Sequence, residues 1–263
     1  MEEILMPVIV ISAVGIIAGL MLTVASKYMA VAVDERVSHV RDVLPGSNCG
    51  GCGFAGCDVY AEKVVSGEAK PNLCLPGGHT AVLAIAGALG IDAEAVTPSV
   101  AIVKCSGTCH KTDYAIDYQG PPTCVSCNFL YKGRGQCSYS CLGFGDCVNV
   151  CTFSAIYMVN GVPVVDKQKC TGCGMCARAC PKALIDTIPA DKYFYVGCSS
   201  KDKGGVVRKL CSAGCIGCMK CVKACEQGAI TTENYLAHID PKKCINCGNC
   251  AEECPVSVIK DRN

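Results

Sequence analysis

The apolar positions of this chain change pattern several times along its length. From Ile4 to Ser26 (ILMPVIVISAVGIIAGLMLTVAS) there are 23 residues without a charge. As a helix they would rise ~35 Å, enough to cross a ~30 Å hydrocarbon core, which predicts a transmembrane helix over residues 1–26 instead of a buried helix of a soluble domain. Residues 27–48 begin as a polar, helical stretch (KYMAVAVDERVSHVRDVL) stopped by Pro45-Gly46, and are expected to act as a connector. Within residues 49–90, HTAVLAIAGALG (79–90) predicts one apolar helix closed by Gly90. Residues 91–136 turn to short strands at Val100–Val103 and Tyr114–Tyr118, with Gly120-Pro121-Pro122 as a breaker. Further on, apolar pairs follow cysteines at a fixed distance: Ala155-Ile156, Leu184-Ile185, Ala229-Ile230 and Val258-Ile259. Each pair is expected to begin a strand that packs over whatever the preceding cysteine binds.

Those pairs belong to a repeat with an offset of 74 residues, which sets Cys124 against Cys198, Cys137 against Cys211 and Cys151 against Cys225. Cys170, Cys173, Cys176 and Cys180 likewise meet Cys244, Cys247, Cys250 and Cys254. A fixed period carrying this many matches is a duplicated module, here 137–190 and 191–263. One position breaks the match: Cys218 stands opposite Phe144.

Cysteine makes up 26 of the 263 residues. Disulfide scaffolds of that density are short and secreted, and nothing here reads as a secretory signal. The close spacing within the runs points to metal. CTGCGMCARACP (170–181) and CINCGNCAEECP (244–255) are C-x₂-C-x₂-C-x₃-C-P runs, in which three thiolates bind one [4Fe–4S] cluster and the fourth reaches across to another. Structural zinc sites seldom repeat such a run. In the second module one cluster then takes Cys215, Cys218, Cys221 and Cys254, and the other Cys225, Cys244, Cys247 and Cys250. In the first module, Cys151, Cys170, Cys173 and Cys176 form one set. Its partner holds Cys141, Cys147 and Cys180, and Cys137 is expected to replace the ligand missing at Phe144. CGGCGFAGC with Cys74 gives a further set, Cys49, Cys52, Cys57 and Cys74. Cys105, Cys109, Cys124, Cys127, Cys198 and Cys211 remain. They allow a local site (Cys105, Cys109, Cys124, Cys127), a cross-module site (Cys105, Cys124, Cys198, Cys211), or inert buried thiols.

The fold expected is α+β: one N-terminal transmembrane helix, a small four-cysteine iron–sulfur domain and two tandem dicluster ferredoxin-like modules. A net charge of +1 and 6% aromatic residues give no ground for a nucleic-acid partner. Gly51 to Gly56 fits G-x-G-x-x-G, but no strand precedes it and cysteines interrupt it, so a direct NAD site is not expected. The span carries no ionisable group to move an ion, and no acid–base constellation is evident. Gly15 and Gly19 form a small-xxx-small pair that arises as readily by chance. Glu2 and Glu3 precede the span, while Lys27, Arg36 and Arg41 follow it, which places the C-terminal domains in the cytoplasm. His110 is expected to face solvent. Lys201, Lys203, Arg208, Lys209, Lys220, Lys223, Lys242 and Lys243 concentrate on the second module, either as ordinary solvated surface or as a face that steers an acidic partner in.

Taken over essentially the whole chain, the span, LPGSNCGGCGFAGC, CSYSCLGFGDC, the two ferredoxin modules and the VGCSSKDKGG and GCIGCMKC stretches resemble the RnfB family in its long form. RnfB proteins belong to the Rnf complex, an ion-translocating ferredoxin:NAD⁺ oxidoreductase. The resemblance implies a Fes-type domain at the N-terminal cysteines, and five [4Fe–4S] clusters with a sixth on Cys105, Cys124, Cys198 and Cys211. It also implies a single-pass component of the cell membrane that takes electrons from soluble ferredoxin and relays them to the other membrane and peripheral subunits, pumping of Na⁺ or H⁺ lying elsewhere. An equivalent relay serving a related complex that reduces a redox-sensing transcription factor is the alternative.

Overall fold

The computed structural model describes residues 2–28, 34–92, 94 and 96–262. Helix α1 (Glu2–Tyr28) contains the apolar run. Its stretch Val8–Tyr28 has a mean hydropathy of 2.6 and no burial against the rest of the chain, which fits a single-pass membrane anchor.

Helix α2 (Glu35–Val43) has both α3 (Cys57–Val65) and α4 (Gly78–Leu89) packed on it. Val40, Leu44, Tyr60, Val64 and Ile85 are buried together, each contributing ~1.5–3 kcal/mol. The segment expected to be a connector therefore supplies part of this small domain's core, because Val40 and Leu44 present one apolar face. Gly90 closes α4 in the left-handed conformation, as the sequence predicts. The Tyr60 hydroxyl donates to Lys70 O (2.8 Å) and accepts from Leu73 N (3.2 Å), which pins the loop that carries Cys74.

Strand β1 (Ser99–Val103) follows, then α5 (Cys124–Tyr131) and α6 (Asp146–Asn149). The first module continues with β2 (Ile156–Val159), β3 (Val162–Val165), α7 (Met175–Ala179) and β4 (Ile185–Pro189). The second contains β5 (Phe194–Val196), α8 (Gly204–Leu210), α9 (Lys220–Lys223), β6 (Ile230–Glu233), β7 (Leu236–Ile239), α10 (Asn249–Glu252) and β8 (Ile259–Asp261). Ile156, Ile185, Ile230 and Ile259 each open a strand and each is buried, as expected from the apolar pairs.

Each module pairs its central hairpin, β2–β3 or β6–β7, and pairs its last strand with a leading one, β1–β4 and β5–β8, all antiparallel. Val103 faces Ile185 and Val196 faces Ile259. The next residues continue the match, with Lys104 N donating to Leu184 O and Gly197 N to Val258 O (2.6 and 2.8 Å). Since Ile185 and Ile259 are repeat partners, β1 and β5 are equivalent elements. The segment 91–136 is thus no separate unit, because its strand is the first module's leading strand. No strand forms at Tyr114–Tyr118, where a single bridge joins Tyr114 to Gly135.

Candidate iron–sulfur sites

Four cysteine loops in the two modules share one backbone course. Their third and fifth residues, Gly143 and Gly145, Gly172 and Gly174, Gly217 and Met219, Asn246 and Gly248, all have φ between 60° and 87°. These left-handed turns favour glycine. The first of the loops keeps this course although Phe144 occupies the position of its second cysteine. The fourth cysteine of each run accepts a hydrogen bond from an amide four residues on: Ala155 N to Cys151 Sγ, Leu184 N to Cys180, Ala229 N to Cys225 and Val258 N to Cys254, at 3.3–3.4 Å. Such bonds favour a charged sulfur.

The sulfurs line cavities. One is bordered by Cys151, Cys170, Cys173 and Cys176. A second is bordered by Cys225, Cys244, Cys247 and Cys250. Burial pushes the Cys221 and Cys74 thiols up, and nearby sulfurs add to it, those of Cys215, Cys218 and Cys254 at Cys221 and those of Cys49, Cys52 and Cys57 at Cys74. Likewise, burial pushes the thiols of Cys141 and Cys147 up to about 12 and those of Cys137, Cys176 and Cys250 up to about 11, and neighbouring sulfurs add to the effect. Only a cationic centre would make these groups thiolates near neutral pH. Among the described residues, no group of three or more His, Cys, Asp or Glu converges as a single metal ion requires. Zinc needs four ligands ~2.3 Å from one point. Four cysteines around one cavity are the ligand set that a [4Fe–4S] cluster takes.

At the first module's variant loop the structure departs from the sequence expectation. The cavity there is bordered by Cys141, Cys147, Cys180 and Cys124, not Cys137. Phe144 turns away and packs its ring edge-on to Tyr118 (centroids 5.4 Å apart), with the Arg134 guanidinium 4.2 Å from its centroid. Helix α5 brings Cys124 in. Asp146 fixes that helix end, accepting from Cys124 N (2.9 Å) and Val125 N (3.1 Å), two amides with no intrahelical partner. Burial pushes the Cys124 thiol up, and the backbone amides of Asp146, Phe144 and Gly145 oppose it.

Cys137 lies with Cys105, Cys198 and Cys211 around a fourth cavity, in the place the sequence reading gave to Cys124. The error has a definite origin. Cys105 and Cys198 both stand two residues beyond the equivalent positions Val103 and Val196, so Cys105 is the true counterpart of Cys198. The first module carries a longer stretch between leading strand and loop, 106–136 against 199–210, and within it Cys124 falls on the repeat offset without being equivalent. Sequence reasoning missed Asp146, though one signal was available: its repeat partner is Lys220, a reversal of charge beside a repeated pattern of cysteines. Cys127 is fully buried against Cys124 and Leu142, while Cys109 and His110 are exposed; neither cysteine borders any of the four cavities.

The N-terminal cysteine loop sits on the first module. A Cβ at Gly51 would lie 3.0 Å from Cys173 Cβ and 3.2 Å from its carbonyl oxygen. Arg178 donates to Gly50 O and Gly51 O (3.2 and 3.3 Å). In the second module, by contrast, Cys218 and Cys247 are exposed. All eight lysines and arginines singled out on that module are exposed too.

Comparison with known proteins agrees with this architecture. The Fe-S cluster family matches residues 44–76, the 4Fe-4S binding domain family 162–185 and the 4Fe-4S dicluster domain family 214–258. The chain is 41% identical to the B-type subunit of the Na⁺-translocating ferredoxin:NAD⁺ oxidoreductase complex of Acetobacterium woodii, over 98% of its own length and 78% of that protein. It is 44% identical to the B-type subunit of the proton-translocating ferredoxin:NAD⁺ oxidoreductase complex of Clostridium ljungdahlii, over 99% and 93% of the two chains. With the B-type subunit of the ion-translocating oxidoreductase complex of Methanosarcina acetivorans the identity is 38%, over 96% of both. The chain belongs to the RnfB family of ion-translocating ferredoxin:NAD⁺ oxidoreductase complexes. Within that family it is an electron-transfer subunit with 4Fe–4S sites. The 4Fe-4S match in the first module starts at residue 162 and so leaves out the Phe144 loop, the place where this copy departs from the usual run.

Proposed function

We propose that this subunit is anchored by α1 in the cell membrane with its cysteine domains in the cytoplasm, takes electrons from soluble reduced ferredoxin at its second module, and hands them through the first module to the N-terminal four-cysteine domain. From there they pass to the other subunits of an ion-translocating ferredoxin:NAD⁺ oxidoreductase complex. [4Fe–4S] clusters held by the cysteine sets would each take up and give on one electron at a time.

The observation that carries the direction is the unequal cover of equivalent cysteines. Cys218 and Cys247 reach the surface of the second module, and Met219 and Ile245 beside them are 48% and 62% exposed. Lys220, Lys223, Lys242 and Lys243, close to them along the chain, are exposed as well. An acidic carrier would be steered toward exposed lysines of this kind. At the other end, Cys173 lies under Gly51, and only residues 27–48 separate the N-terminal cysteine loop from the apolar helix. Mixing the anaerobic, iron-loaded protein with reduced ferredoxin in a stopped-flow spectrometer tests this. The second-order rate should fall as salt rises, because exposed charges are screened over ~10 Å at 0.1 M. A rate independent of salt would exclude the second module's basic face as the place where electrons enter.

A further inference from the structure

Four cysteines from the two modules meet at the junction between them. The cavity there is bordered by Cys105, Cys137, Cys198 and Cys211. A Cβ at Gly107 would lie 3.7 Å from Cys105 Sγ and 3.5 Å from Cys211 Sγ, so two sulfurs of different modules crowd the same point. Ser200 N donates to Cys198 Sγ at 3.4 Å, the kind of amide contact found at the fourth cysteines of the runs. The halves are also equivalent. Cys105 and Cys198 each follow a leading strand, while Cys137 and Cys211 each stand four residues before the first cysteine of a loop, Cys141 or Cys215.

The surrounding segments are fastened across the junction. Ser199 Oγ donates to Lys104 O (2.9 Å), Thr112 Oγ1 to Leu210 O (2.8 Å) and Ser212 N to Lys111 O (2.9 Å). Cys137 is followed four residues on by Cys141, and Cys211 by Cys215, so the junction adjoins one cysteine set of each module.

We propose that Cys105, Cys137, Cys198 and Cys211 form one [4Fe–4S] site shared by the two modules, each giving an equivalent pair of ligands, and that Cys124 completes the first module's site with Cys141, Cys147 and Cys180. This rests on the reading of the cysteine runs as cubane ligands. Neither module alone holds the shared site. A cluster held there would supply a one-electron step between the set that contains Cys215 and the set that contains Cys141. The shared site also accounts for Cys211, which is redundant inside its own module because Cys218 is present.

The test is iron content and electron paramagnetic resonance on the full-length chain, reconstituted anaerobically. Wild type should hold about 24 iron atoms, six cubes of four. Cys105→Ala and Cys211→Ala, altering different modules, should each lose the same cube, and the double variant should lose no more iron than either. The spin–spin broadening of the first module's reduced cluster pair should survive in both. Cys124→Ala should lose a first-module cube, and adding Phe144→Cys, which restores the run's own second cysteine, should bring the iron and the broadening back. Losses from Cys105→Ala and Cys211→Ala that add up to two cubes, or a Cys137→Ala variant that loses the first module's coupled pair, would overturn the proposal. Should the alanine variants fail to fold, the wild-type count decides, about 20 irons being the adverse result. A wild-type count below about 16 would instead remove the underlying reading of the runs.

Discussion

The two ferredoxin-like modules are copies of one sequence, yet one is covered where the other is open. Phe144 and Cys173 of the first correspond to Cys218 and Cys247 of the second. Phe144 is packed under Tyr118 and Arg134, and Cys173 lies against Gly51, whereas Cys218 and Cys247 are exposed. Charge divides them the same way. Lys220, Lys223, Lys242 and Lys243 occupy the positions of Asp146, Asn149, Gln168 and Lys169. The two copies thus share their cysteine runs and differ at their rims, where one is covered and the other is open.

The strongest way to break this comparison is to remove what covers the first module. In Cys57→Ala the N-terminal set loses a cysteine that is buried at the start of α3. Ferredoxin should still reduce the protein, since the modules are intact, and transfer to the membrane partners should fall to background. Full ferredoxin:NAD⁺ activity in a complex shown by iron assay to lack this cluster would exclude the N-terminal domain from the path. A smaller but still large effect is expected from reversing charge on the open module. Lys220→Glu with Lys223→Glu should slow reduction by ferredoxin about tenfold or more at low salt and flatten its salt dependence. Lys167→Glu with Lys169→Glu, equally exposed on the first module, should change it little. Equal effects would mean that the partner does not distinguish the copies.

Much of this difference was legible in the sequence. The repeat, the runs, the helix closed by Gly90 and the strands opened by Ile156, Ile185, Ile230 and Ile259 follow from local spacing, and local spacing is what a sequence displays. What it does not display is which distant segment fills a local gap. The absence of a cysteine at 144 was evident, and Cys137 lay four residues before Cys141, so proximity along the chain favoured it. In three dimensions the fourth cysteine at that cavity, Cys124, comes from a helix inside an insertion, its amide held by Asp146. The repeat offset itself misled, since Cys124 falls opposite Cys198 while the strand pairing makes Cys105 its equivalent. Helix α2 was expected, but only as a connector, for a related reason: a mostly polar stretch with Val40 and Leu44 on one face reveals its role in the core only once Tyr60 and Ile85 are there to meet them.

Two milder substitutions sharpen the comparison. Gly51→Val places methyl groups against Cys173, and overpacking of this kind costs ~1–3 kcal/mol unless the two elements separate. Separation would lengthen the step from the first module to the N-terminal domain and slow it, while reduction at the second module stays unchanged. Gly56→Ala makes a useful control, because a Cβ there would meet only the Asn48 side chain, at 3.2 Å. If Gly51→Val transfers electrons onward at the wild-type rate and unfolds at the same denaturant midpoint, the contact at Cys173 has no role.

The smallest expected effect concerns Asp146, and it isolates what divergence changed inside the repeat. Its carboxylate accepts from the amides of Cys124 and Val125 at the start of α5. Asp146→Ala leaves both amides without that partner and should cost ~1–2 kcal/mol, the usual range for losing a cap. It should also free the helix end that carries Cys124, so the first module's variant site should lose iron to a chelator sooner than in wild type. Asp146→Asn keeps one acceptor and should recover part of the stability. In the second module the matching residue, Lys220, is exposed. Lys220→Ala should therefore stay within ~0.5 kcal/mol of wild type, as surface substitutions do. Denaturant unfolding followed by the visible absorption of the clusters measures both. A Lys220→Ala loss as large as that of Asp146→Ala, or chelator kinetics unchanged in Asp146→Ala, would show that α5 is held against the loop by its packing on Tyr118 and Leu142, with the carboxylate incidental.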